Sequence, residues 1–271
     1  MIDRAAITNW GASHPWSRQA FVEQDLVICR ALVAIYSDPV LADALAFRGG
    51  TALHKLFLSP QARYSEDIDL VQVSPGPAKP LVERLDAALA WLPGRTFSAR
   101  RFGFRTKYRY ESETPPTEPM RLKVEVNTFE HFAELGYAYA PFRVKSPWFS
   151  GDCRIKTYVP AELLGTKLRA LYQRRKGRDL FDLACAVGRL DVDVAAVLRC
   201  WRRYVAFGGH AVPTAAEFER NMEEKLARPD YAADVSLLLR PGTPFDVAAA
   251  YAAVRETFIR PLGDYPTPSA P

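Results

Sequence analysis

The sequence predicts an α/β (α+β) protein, with a mixed α/β N-terminal half and a helical C-terminal half. Two observations carry this. Residues 67–73, 96–111 and 120–128 alternate apolar and polar side chains or are rich in β-branched residues, the period of strands with one buried face. From Pro160 onward, successive segments instead carry apolar side chains at helical spacing. With 271 residues, 48% of them hydrophobic, the chain can fill one large core or two smaller ones.

Residues 18–37, R-Q-A-F-V-E-Q-D-L-V-I-C-R-A-L-V-A-I-Y-S, read as a helix with Ser17 as candidate cap, and a second helix is expected from Pro39. A-F-R-G-G-T-A-L-H-K-L-F reads as a short strand ending at Arg48, a turn at Gly49 and Gly50, and a helix opening at Thr51. The next strand is R-Y-S-E-D-I-D-L-V-Q-V. Residues 79–92 suit an amphipathic helix, and 96–111 and 120–128 antiparallel strands joined by the turn-rich S-E-T-P-P-T-E-P. Beyond Pro160, helices are expected in A-E-L-L-G-T-K-L-R-A-L-Y, D-L-F-D-L-A-C-A-V and V-A-A-V-L-R-C-W-R-R-Y, then over 214–228, 230–239 and 245–259. The predicted domains are 1–155 and 156–262. A flexible tail is expected over 263–271, where closely spaced prolines remove backbone donors.

Lysine and arginine number 36 against 31 acids, a net +5, which permits a basic face for a polyanion without proving one. Cys29, Cys153, Cys185 and Cys200 are scattered, without C-x-x-C spacing, and read as small hydrophobes of a reducing cytoplasm. His14, His54, His131 and His210 form no H-x-x-x-H or Ser/His/Asp pattern, which disfavours a zinc site or a serine hydrolase. No apolar run approaches the roughly 20 residues of a membrane span. A soluble cytoplasmic protein is expected.

Three constellations carry candidate chemistry. In a strand, Asp67 and Asp69 share a face while Ile68 and Leu70 take the other, so two carboxylates converge and repel unless a cation such as Mg²⁺ lies between them. A strand face turned to water has the same pattern. Alternation in M-R-L-K-V-E-V-N-T-F puts Lys123, Glu125 and Asn127 on one face, and Glu125 completes a metal-binding triad if that strand lies beside the aspartates. Gly49 and Gly50 before a helix let backbone N–H groups approach a phosphate, with Thr51 adding a hydroxyl and Ser65 facing the same side. A simple tight turn and a turn hydroxyl are the plainer readings. Finally, Glu162, Lys167 and Arg169 lie on a helix whose remaining positions are apolar, followed by Arg174, Arg175, Lys176 and Arg178 around Gly177. Such a cluster holds triphosphate or nucleic-acid phosphate, or is a solvated helix end. Asp179 and Asp182 share a face of the next helix, where they orient those cations or cap the helix.

Together, F-V-E-Q-D, F-R-G-G-T-A-L-H-K-L, R-Y-S-E-D-I-D-L, L-K-V-E-V and E-L-L-G-T-K-L-R-A-L-Y-Q-R-R-K-G-R-D-L-F-D-L resemble the AbiEii/AbiGii nucleotidyltransferase toxins, which include the MenT toxins. The match runs in order over roughly residues 20–190. The resemblance implies a polymerase-β-like nucleotidyltransferase domain and a role in a type IV-like toxin–antitoxin or phage-defence system. It further implies NTP as donor, Mg²⁺ as cofactor, tRNA as acceptor and an AbiEi-like antitoxin as partner. By the same resemblance, Gly49, Gly50 and Ser65 lie at the triphosphate, Asp67 and Asp69 ligate metal, Lys167 contacts the nucleotide, and Asp182 or Asp179 completes the site. The interval from Gly50 to Asp67 is longer than in many polymerase-β-like enzymes, and the family's acid at Glu125 is not defined. NMP transfer to a protein hydroxyl and a metal-dependent nuclease remain as alternatives, the second disfavoured by the reversed order of Lys123 and Glu125.

Overall fold

The computed structural model describes residues 2–263, so the tail from 264 lies outside the described residues. The chain divides after Tyr158 into two compact units, three residues beyond the expected boundary because the last strand runs on to Tyr158.

The first unit contains α1 (Arg4–Ser13), α2 (Gln19–Ser37), α3 (Pro39–Ala44), β1 (Leu45–Arg48), α4 (Gly49–Leu56), β2 (Asp67–Gln72), α5 (Ala78–Ala88), β3 (Thr96–Arg100), β4 (Gly103–Glu111), β5 (Pro119–Asn127), β6 (Tyr137–Lys145) and β7 (Ser150–Tyr158). Its seven strands form one mixed sheet in the order β3-β4-β5-β2-β1-β7-β6. β2 is parallel to β5 and antiparallel to β1. The α/β expectation holds. α2 packs on β2, β5, β6 and β7 and α5 packs on α2. They cover the face that carries Ile68, Leu70, Val124 and Val126, all buried. Period-two alternation leaves Asp67, Asp69, Lys123 and Glu125 on the other face, each only partly covered.

α2 is fixed to the sheet by polar side chains. Gln24 Nε2 donates to the carbonyls of Glu66 (3.1 Å) and Arg121 (2.9 Å), joining the approach to β2 to strand β5. Asp25, fully buried, accepts from Trp10 Nε1 (3.0 Å) and from Lys55 Nζ on α4 (2.7 Å).

Several expectations need correction. The N-cap of α2 is Arg18, without a side-chain cap bond, rather than Ser17. The stretch 96–111 is two strands, turning at Arg101 and Phe102. α5 ends at Ala88. Helix α1 and the β6–β7 hairpin were not anticipated. β6 is an edge strand with Pro141 in it and several exposed side chains, so its apolar alternation is faint.

The second unit is helical: α6 (Pro160–Gln173), α7 (Gly177–Arg189), α8 (Val194–Phe207), α9 (Ala215–Leu226), α10 (Ala233–Ser236), α11 (Val247–Val254), a π-helical turn Arg255–Ile259 and a 3₁₀ turn Arg260–Gly263. The expected helix over 230–239 shrinks to the four residues of α10. Gly165 lets α6 approach α8 closely, since a Cβ there would lie 2.7 Å from that of Cys200. No helix among the described residues is long and apolar enough to cross a membrane.

Candidate active site

The first constellation forms on the face of the sheet opposite α2. Asp69 is paired across β1 with Arg48 and across β5 with Glu125, and Asp67 with Lys123. The glycine turn meets these acids directly: Gly49 opens α4 at φ +80°, and a Cβ on it would stand 2.6 Å from Asp69 Oδ2. Only glycine allows that backbone sign and that approach together. α4 therefore starts against the Asp69 carboxylate, with Gly50 as its half-buried second residue.

Thr51 and Ser65 are both buried. Their hydroxyls lie 2.6 Å apart, and Thr51 Oγ1 also donates to the Asp67 carbonyl at 2.6 Å. The two hydroxyls expected to serve phosphate thus tie the first turn of α4 to the start of β2.

Burial and the neighbouring Asp67 charge push the Asp69 carboxyl above its usual range, against the pull of Lys123 and Arg48. Lys123 Nζ sits 2.6 Å from Asp67 and 3.4 Å from Glu125. Although burial disfavours its charge, the bond to Asp67 keeps it protonated more firmly than an ordinary lysine. Glu125 departs from expectation. Its carboxylate is held in the fork of Arg105, at 2.9 and 3.1 Å from Nη2, and by Lys123, so that despite burial its pKa is lowered. Among the described residues no group of three Asp, Glu, His or Cys side chains is arranged to hold a metal. The acids that suit a hard divalent cation are the pair Asp67 and Asp69: all their donors are oxygen, and the Asp67 repulsion that adds to burial in raising Asp69 is what a cation relieves.

Sequence reasoning missed Arg48, Arg105 and the specific role of Lys123. Arg48 pairs with Glu130. That contact is invisible to spacing, since the partners are brought together only by the sheet.

The helical unit assembles the other constellation. Lys167, 7% exposed, lies 3.1 Å from Asp179 and 2.9 Å from Asp182, both fully buried. Asp179 also accepts from Arg174 Nε and Nη2, each at 3.0 Å. The aspartates thus orient the basic residues. Arg169 lies over the Tyr204 ring and donates to its carbonyl at 3.2 Å, and Arg178 is 3.9 Å from Asp234.

A family model described as the nucleotidyl transferase AbiEii toxin of a type IV toxin–antitoxin system matches residues 30–257. The chain belongs to the AbiEii family. It is accordingly a nucleotidyltransferase of a toxin–antitoxin system. The AbiEii chain is similar in structure to the nucleotidyltransferase toxin MenT4 of Mycobacterium tuberculosis, with TM-score 0.68 and 21% identity over 98% of this chain and 91% of that one. It is also similar to JHP933 of Helicobacter pylori, with TM-score 0.55 and 17% identity over 92% and 94%. At these identities the likeness shows the AbiEii fold alone. Comparison with curated proteins gives no match.

Proposed function

We propose that this AbiEii protein transfers a nucleoside monophosphate from an NTP to the 3′ end of an RNA, tRNA in the first instance, and so stops translation. The observation that carries the reading is the Asp67–Asp69 pair on one strand face, with Asp69 set against the glycine-led start of α4.

Asp67 and Asp69 would hold Mg²⁺, which when bound would activate the attacking oxygen and neutralise charge on the departing pyrophosphate. The chain's own part is positional. The first amides of α4, at Gly49 and Gly50, present N–H groups and a positive helix end to an anion. Thr51 and Ser65 fix that turn to β2, and Lys123 and Arg105 balance the acids around it. On the family resemblance, Lys167 contacts the nucleotide, with Asp179 and Asp182 holding its ammonium and Arg169 and Arg178 adding positive charge. The same resemblance supports a cytoplasmic protein, an AbiEi-like antitoxin and a part in phage defence.

The test is incorporation of each of the four labelled NTPs in the presence of bulk tRNA and of cell lysate, with and without Mg²⁺. Label is expected on tRNA, only with Mg²⁺, and Asp69→Ala is expected to abolish it with an unchanged circular dichroism spectrum. Incorporation retained by Asp69→Ala rejects the site. Label on protein alone assigns the acceptor to a protein hydroxyl, and shortened RNA makes the protein a nuclease.

A further inference from the structure

Along the face of β4 and β5 that carries Lys123 and Glu125, the residues pair directly across the strands as Arg105 with Glu125, Lys107 with Lys123, and Arg109 with Arg121. The first pair is opposite in charge. The next two are like-charged, an arrangement that costs stability in a sheet. Lys123 is relieved by Asp67 and Glu125. Arg109 and Arg121 are exposed, and among the described residues neither guanidinium forms an ion pair. A face shaped by stability alone gains nothing from such a ladder.

The arginine pair leads to the acids. Arg121 is one same-face step from Lys123, the register partner of Asp67, or roughly 7 Å along the strand. Both arginines line a cleft of about 730 Å³ whose wall also includes Asp67, Tyr64 and Phe21. The acids of that wall are not all free to repel an anion: Glu118 is held by Arg18 and Asp67 by Lys123, leaving Glu66 and Glu111. The volume lies within the roughly 300–1,000 Å³ of small-ligand pockets. It suits the end of a single strand and not a duplex.

We propose that this face is the acceptor track: the single-stranded 3′ end of the RNA enters the cleft, and Arg109 and Arg121 grip its backbone phosphates so that the terminal hydroxyl reaches Asp67. Guanidinium forks suit this, since they bind phosphate in a bidentate fashion. The inference rests on the RNA acceptor proposed above and names the residues that hold it.

The experiment compares wild type with Arg109→Gln/Arg121→Gln, and with Lys79→Gln on the opposite side of the sheet as a charge control. Readouts are the KM for bulk tRNA, the KM for NTP, binding of a labelled single-stranded RNA against salt, and thermal melting. The double variant is expected to raise the KM for tRNA on the order of tenfold or more and to lower the slope of log affinity against log salt by about 1 to 1.5. Its KM for NTP should hold, and its melting temperature should hold or rise as the repulsion disappears. A lower melting temperature with an unmoved tRNA KM would show the arginines to be structural and overturn the track, while tRNA labelling by the wild type left the transferase reading intact. Equal weakening by Lys79→Gln would reduce the effect to net charge and overturn it too. Labelling of protein and not RNA by the wild type, without affinity for the labelled RNA, overturns both.

Discussion

At Gly49 a single hydrogen atom keeps the candidate site open. A methyl group there meets Asp69 Oδ2 at 2.6 Å and forces a side-chain-bearing residue to φ +80°. Left-handed backbone costs a non-glycine residue about 1–3 kcal/mol, and an ångström-scale displacement of a reacting group costs about 100-fold in rate. Gly49→Ala is therefore expected to lower incorporation by about 10- to 100-fold and to lower the unfolding free energy of its unit, measured by labelled-NTP transfer and urea denaturation. Gly188, around which no atom crowds, supplies the contrast: Gly188→Ala should leave transfer unchanged. Normal transfer by Gly49→Ala would detach the turn from the chemistry.

Between elements, the joint of α2 with α4 is a buried ion pair. Lys55 and Asp25 have side chains only 2% and 0% exposed, and Lys55 Nζ also reaches Cys29 Sγ at 3.2 Å. Breaking such a pair strands the remaining charge. Asp25→Ala is expected to cost about 3–5 kcal/mol, whereas Asp25→Leu combined with Lys55→Met should recover part of it, the Trp10 Nε1 donor still lacking its acceptor, as read from urea midpoints. A double variant as weak as the single one would remove the ion pair as the cause. This joint also shows what the sequence can disclose. The faces of β2 are legible because the strand period of two sorts Asp67 and Asp69 from Ile68 and Leu70 without help from the rest of the chain. The Gly-Gly turn is legible because few residues accept its backbone. Asp25 with Lys55 is set by the packing of two helices, and Arg48 with Glu130 and Arg105 with Glu125 by the order of the strands, which no local pattern encodes. β6 escaped notice for a related reason: at the sheet edge it owes little to an apolar face, so its signal is faint.

For the molecule as a whole, each compact unit keeps buried charge at a cost, so loss of activity and loss of fold must be separated. In the helical unit, Lys167 serves two fully buried carboxylates. Lys167→Met is expected to lower stability by about 3–5 kcal/mol, and adding Asp182→Asn should return part of it. If melting temperature recovers and transfer does not, the Lys167–Asp182 pair serves the chemistry and not the fold alone. If both recover together, its role is confined to holding the helices. In the sheet unit a further buried group is Glu23, 1% exposed, whose Oε1 has no hydrogen-bond partner among the described residues while Oε2 accepts from the Glu113 amide at 3.0 Å. Burial raises its pKa from 4.5 to about 7. A carboxyl raised on folding binds its proton more tightly in the native state, so the stability it contributes is full below pH 4.5 and is lost as pH climbs through about 7. Glu23→Gln keeps the neutral shape and an acceptor for the Glu113 amide, and escapes that loss. Melting curves of wild type and variant should therefore run together at pH 4 and separate toward pH 8, the variant ending more stable by on the order of 1–3 kcal/mol. A difference that stays constant across this range would mean that Glu23 is not the group that titrates.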